Sequence, residues 1–271
     1  MNFKEFFYKL RETQSALVFS GFAFAALFFS LTLISLFDST QILGINRWIK
    51  PMKFASSISI YLWTLAVYLY FLNGFARSKV VIAWGVIAMM VGEIILVVMQ
   101  VSRGTTSHFN IKTPFDGAVF GAMGLMIVIN SLLLLYLTFL YFRTDTDLPQ
   151  AIVWSFKLGL IIFLLGSAQG GYMSAQLGHS VGTVDGGAGL PFVNWSTEGG
   201  DLRVAHFLGL HAFQAIPLAA LVFVRRRKQF AMELTLLFAL VYLAVFSFLF
   251  IQAVHGEPLL RMQRIKTESL K

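Results

Sequence analysis

The stretch ALVFSGFAFAALFFSLTLISLF, residues 16–37, contains no charged side chain. A bilayer core about 30 Å thick is crossed by about 20 mostly apolar helical residues. The run is too long for the roughly 7–15-residue apolar region of a cleaved signal peptide, so it is expected to remain as a transmembrane helix. Composition extends that reading to the whole chain. Of 271 residues, 57% are apolar and 13% charged, with 28 Phe, and mean hydropathy is +0.75. Soluble domains average about 25% charged residues. Lipid offers the backbone no hydrogen-bond partner, so such a chain satisfies its amides within helices. The expected fold class is all-α, a polytopic integral membrane protein.

Working outward, six further runs qualify: Phe54–Leu72, Val80–Val101, Phe115–Phe142, Ile152–Gln176, Val204–Val224 and Phe230–Val254. The expectation is one domain, residues 1–271, forming a bundle of seven transmembrane helices. It shows no internal repeat of the kind that marks many transporters. The connections alternate in character. Those on the N-terminal face, side A, are short: Asn73–Lys79, Arg143–Gln150 and Arg225–Gln229. Those on the opposite face, side B, are longer: Asp38–Lys53, Ser102–Pro114 and Leu177–Arg203. The last contains HSVGTVDGGAGLPFVNWSTEGGD, residues 179–201, whose glycines and Pro191 predict a structured cap rather than a helix.

Lys and Arg divide evenly between the two faces, so the positive-inside rule ties on a raw count. The plain basic clamp RRRKQ, residues 225–229, favours side A in the cytoplasm; the basic tail with Arg261, Arg264, Lys266 and Lys271 points the other way. The expected location is the bacterial inner membrane with the N-terminus cytoplasmic. The +8 net charge is read as attraction to membrane lipids. Nucleic acid is not an expected partner, because no basic stripe is interleaved with exposed aromatics. Cysteine is absent, which excludes disulfides, thiolate metal sites and c-type haem attachment. Nothing in the sequence indicates an oligomeric state.

The polar chemistry gathers on side B. DLRVAHFLGLHAFQ, residues 201–214, places an acid, an arginine, two histidines and a glutamine at the start of a helix that then runs into apolar sequence. All five histidines, His108, His179, His206, His211 and His255, fall at this end, as do Gln100, Asp116, Gln169, Gln176, Gln214 and Gln252. Glu93 lies deeper. At 3.6 residues per turn, Arg203, His206, His211 and Gln214 occupy an arc of roughly 140°, and Pro217 is available to kink the helix. Lys53, Ser57, Tyr61, Thr64 and Tyr68 form a second stripe. Each residue alone has an ordinary reading. Helix-end histidines bond to loop backbone, buried Gln and Ser join helices, aromatics form interface belts, and Lys157 snorkels toward side A. Their convergence predicts a polar chamber open toward side B.

Two imidazoles and a carboxylate suit a divalent metal such as zinc or iron, which lowers the pKa of bound water to about 7. The leading expectation is a membrane-embedded, metal-dependent hydrolase acting on a small-molecule or lipid substrate. His206 and His211, with His108, His179 and His255, would hold the metal or cofactor, and Gln214 would lie beside it. Glu93 or Asp116 would serve as acid–base, and Arg103 and Arg203 would orient an anionic group. The pairing is HxxxxH, weaker than the i, i+4 spacing of metal helices. It also differs from the seven-helix hydrolases of the adiponectin-receptor type, with HxxxH in the last helix, so no residue is carried over from them. Two alternatives stand beside it. One is a haem b or quinone redox protein, since bis-histidine haem needs two imidazoles at similar depth. The other is a transporter or channel for a small anion or lipid headgroup, with Lys53, Arg103 and Arg203 as the attracting charges. A retinal protein is excluded because residues 230–254 contain no lysine.

Overall fold

A computed structural model describes residues 2–187 and 189–261. Seven helices are long and apolar enough to cross a membrane: α2 (Ser15–Phe37), α3 (Ile49–Phe71), α4 (Ala76–Ser102), α5 (Pro114–Arg143), α6 (Gln150–Ala175), α7 (Leu202–Arg226) and α8 (Ala231–Val254). The chain is therefore an all-α, seven-helix integral membrane protein. Of the basic tail weighed on side B, Arg264, Lys266 and Lys271 lie outside the described residues.

The apolar runs located every span, with two departures at their ends. The first is an extra helix, α1 (Phe3–Thr13), capped by the Asn2 side chain, which accepts from the Glu5 amide at 2.9 Å. It is too short and too charged to span. Its apolar face packs instead on the side-A ends of α2 and α3. Leu10 is buried, Phe6 contacts Tyr70 and Phe71 at 5.6 and 5.9 Å, and Phe7 meets Phe22 at 6.4 Å. The second departure is α3, which begins more than a turn before the expected Phe54. Lys50, Pro51 and Lys53 read as loop, but Pro is tolerated in a first helical turn, where its missing N–H has no helical acceptor. Lys50 and Lys53 are consequently helical residues at the mouth of the bundle. Between α2 and α3 the chain makes a two-stranded hairpin, β1 (Gln41–Ile42) and β2 (Ile45–Asn46), turning through Leu43 and Gly44 with φ of 51° and 75°. Positive φ at both central residues matches the twist of a tight hairpin.

Two features set the interior. Gly166 of α6 and Gly209 of α7 bring their backbones together: a Cβ built at Gly166 would lie 2.8 Å from the Gly209 carbonyl carbon. Lower in the bundle, Tyr61, Tyr68, Tyr141, Phe156, Phe163 and Phe213 form a continuous aromatic layer. Within it, Pro217 in α7 lacks the N–H that would bond to the Phe213 carbonyl four residues earlier. The Tyr68 hydroxyl supplies that bond from α3 at 2.9 Å. Gly159 leaves the room, since a Cβ there would meet the Tyr68 hydroxyl at 2.9 Å and the Ala212 carbonyl at 3.0 Å. The outer helices carry the lipid-facing surface, as shown by exposed Leu237, Leu240, Val241 and Phe248 on α8.

Candidate functional site

The connection after α6 is a folded lid. Its base is the antiparallel pair β3 (Ser180–Val181) and β4 (Gly200–Asp201), packed so closely on α8 that a Cβ at Gly200 would clash with the Ala253 carbonyl. Its tip is a smaller loop closed by the Gly189–Ser196 bridge and by bonds from Leu190 N to Trp195 O and from Asn194 N to Leu190 O, both 2.8 Å. Asp201 ties these parts to α7. Buried with 2% exposure, it caps the helix by accepting from the Arg203 amide, and it also accepts from the Ser196 amide at 2.8 Å and the Arg203 guanidinium at 2.6 Å. Burial disfavours its charge, but these donors outweigh that cost and hold its pKa below the usual carboxylate value.

Two cations fasten the tip. The Lys53 ammonium donates to the Phe192 and Val193 carbonyls at 3.4 and 3.2 Å, and the Arg203 guanidinium donates to the Asn194 carbonyl. Phe192 and Asn194 reach this arrangement with φ of 64° and 54°, a left-handed conformation that Asn tolerates and Phe adopts rarely.

Beneath the lid lies a cluster of titratable groups. Lys50 is within electrostatic reach of Lys53, Arg203, Glu93 and Asp185. Glu93, in the middle of α4, is 1% exposed, and neither of its carboxylate oxygens has a hydrogen-bond partner. The Gln169 side chain donates to the Leu202 carbonyl at 2.7 Å while its own oxygen is unpartnered. His206 of α7 rests over Gly170, and its Nδ1 is 2.8 Å from the Gly166 carbonyl. A carbonyl only accepts, so in the neutral ring Nδ1 carries the proton and Nε2 keeps a lone pair. His108 sits against Phe54 with ring centroids 5.5 Å apart. Burial, then the fields of Lys50 and His206, push its pKa well down. His179 is lowered to about 4, chiefly by burial and then by Arg203, with Asp185 opposing. At neutral pH its 3.1 Å contact with Asp185 is therefore that of a neutral ring beside a carboxylate rather than an ion pair, and its Nδ1 hydrogen bonds with the Ser180 hydroxyl at 3.2 Å. The same carboxylate accepts from the Ser180 amide at 2.9 Å.

The other expected site residues lie apart. Asp116 and Arg103 belong to a lock between α4 and α5. Arg103 contacts Asp116 at 2.7 Å and also bonds to Gln100, whose amide reaches Asp116 at 3.0 Å, while Thr113 caps α5 and donates to the same carboxylate at 2.7 Å. His211 stacks on Phe207 at 4.0 Å and gives its Nδ1 proton to the Phe207 carbonyl at 2.8 Å. Gln214 is deeper, donating to the Thr64 hydroxyl at 3.3 Å with its oxygen unpartnered. His255 caps the exposed end of α8 through the Ile251 carbonyl. The histidine cluster is thus dispersed: among the described residues no three His, Asp or Glu side chains are placed to hold one metal ion. The five-residue spacing of His206 and His211 explains part of this, since it turns the two rings to different neighbours. The expected chamber open toward side B is not seen among the described residues: Glu93, Gln169 and Asp201 are all buried. Lys50 was overlooked as a site residue. The signal was Pro51 beside it, which marks a helix start as well as a loop.

Fold and site together define a seven-helix membrane protein with a lidded, cation-lined polar interior on one face. No known family model, curated protein or solved structure matches the chain.

Proposed function

We propose that the protein binds and transports a small anion or a lipid headgroup taken from side B. The observation that carries this reading is the grouping of Lys50, Lys53 and Arg203 under one lid, within reach of one another's fields. Like charges repel, and in a bundle interior the repulsion is poorly screened, so an anion entering this group would relieve it. Of the nearby acids, Glu93 is within reach of Lys50, but its carboxylate has no hydrogen-bond partner. Asp201 is committed to Arg203 and to the α7 cap, and Asp185 to the turn at residues 179–180. Lys50 forms no hydrogen bond or ion pair among the described residues. A metal-dependent hydrolase has less support, because its ligands do not converge. Stoichiometric zinc or iron in the purified protein, lost in His206→Ala, would restore that reading.

Side A is proposed to face the cytoplasm of a bacterial inner membrane. The support is the run Arg225, Arg226, Arg227 and Lys228 in a very short connection on that face, since the full count of Lys and Arg ties. The test is uptake of labelled inorganic phosphate, and transfer of fluorescent phosphatidic acid, by liposomes containing the wild type or Lys50→Met. Movement of either that exceeds empty liposomes and falls in the variant supports the proposal. Wild-type liposomes that move neither, together with a thermal midpoint that neither compound raises, would show it to be wrong.

A further inference from the structure

The lid tip already presents oxygens to the cations of this site. Three consecutive residues, Phe192, Val193 and Asn194, place their carbonyls on the Lys53 ammonium and the Arg203 guanidinium. We propose that this turn is a resident occupant of an oxyanion site, and that a phosphate group, free or carried by a lipid, opens the lid by taking its place on Lys53 and Arg203. The inference rests on the anion-binding reading above and adds to it both the ligand's reactive end and the gate.

Three observations support the exchange. Carbonyl oxygens are neutral dipoles, whereas a phosphate brings up to three charged oxygens, and two opposite full charges at this distance attract more strongly than a charge and a dipole. The cations are held in position without the turn: Lys53 is built into the first turns of α3, and Arg203 stays bonded to Asp201 through its Nε at 2.9 Å. The turn, in contrast, is a self-contained unit. Its backbone bonds among residues 189–196 are internal, and beyond Arg203 it meets α7 through the Ser196 amide on Asp201 and the Trp195 ring against Phe207 at 5.9 Å. It can therefore leave as a body, pivoting on the β3–β4 pair. The Phe192 ring is 57% exposed, so no buried side chain resists departure at that position.

The chain has no cysteine to remove, so the test uses nitroxide labels on Phe192→Cys and on Ile111→Cys, an exposed position of the α4–α5 connection. Electron–electron resonance then reads the distance from lid tip to bundle. The wild-type background should give one short, narrow distribution. Lys53→Met should shift much of it to longer distance, and Lys53→Arg should keep it short. Inorganic phosphate added in detergent should lengthen the wild-type distance; nanodiscs containing phosphatidic acid in place of phosphatidylcholine distinguish the lipid-borne source. Either source acting, with Lys53→Met insensitive to it, supports the proposal. If Lys53→Met leaves the distance unchanged, the cation does not hold the turn and the proposal falls. It falls equally if neither phosphate source moves the wild-type lid, an arm that needs no Lys53 variant. Phosphate uptake without lid movement would leave the transport reading standing and overturn this one alone.

Discussion

Acid should loosen the lid through His179. In the closed state the ring is buried beside Arg203 of α7, with Lys50 of α3 also in range and Asp185 and Asp201 opposing, and the balance lowers its pKa from 6.5 to about 4. In a wider opening, in which the β3–β4 base separates as well as the tip, the ring meets water and returns toward 6.5. The open state therefore binds the extra proton between those two values, and the closed state loses stability as pH falls from about 6.5 toward 4, with no further loss below. Between pH 7.5 and 5 the ratio of open to closed should rise about 30-fold, or about 2 kcal/mol. With its side chain 14% exposed, the ring is screened little by solvent. His108, also held neutral by burial, pulls in the same direction. Hydrogen exchange of residues 180–201, corrected for the intrinsic pH dependence, reads the ratio directly. Protection should drop at pH 5 in the wild type and much less in His179→Gln, whose polar side chain does not titrate. Equal protection at both pH values, or an equal fall in His179→Gln, would refute the argument.

Other outcomes follow from the packing. Tyr68→Phe leaves the Phe213 carbonyl buried without a donor and should cost about 1–3 kcal/mol, read as a lower thermal midpoint in detergent; adding Pro217→Ala should recover part of it by restoring the helical N–H. Gly166→Ala should destabilise by about 1–3 kcal/mol, because the new methyl meets Gly209 backbone that cannot step aside. Gly121→Ala, with nothing within 4 Å of the built Cβ, should be neutral or up to about 1 kcal/mol stabilising; thermal unfolding of both variants checks the contrast. Arg103→Gln should lower the thermal midpoint by weakening the α4–α5 lock yet leave the lid's response to phosphate intact, as measured by the same spin-label pair.

The seven spans were legible because lipid imposes a single requirement, a long apolar run, and each such run became a helix. The ends were less so. α1 was missed because its apolar positions, Phe6, Phe7 and Leu10, alternate with charges in a segment too short to span; a search for the 3.6-residue period would have found it. α3 began early because a proline next to two lysines suits a loop and a first helical turn equally. For the site, the sequence located the polar face but not which residues meet. Asp116 and Arg103 pair with each other in the lock between α4 and α5, while Lys50 reads as a loop charge and lies in the first turn of α3. The lid's hold on Lys53 and Arg203 passes through backbone carbonyls, which every residue has, so no residue type announces it.

The Tyr68 hydroxyl that completes α7 at Pro217 belongs to the same helix as Lys53, which grips the lid whose base runs directly into α7. The two grips are fifteen residues apart along α3, about 22 Å at 1.5 Å per residue. One helix thus touches the sixth span, α7, at its proline and, above it, the flap that runs into that span. The hold on the flap at side B and the bond that completes α7 in mid-membrane therefore draw on one helix, so a substitution that displaces α3 would be felt at both.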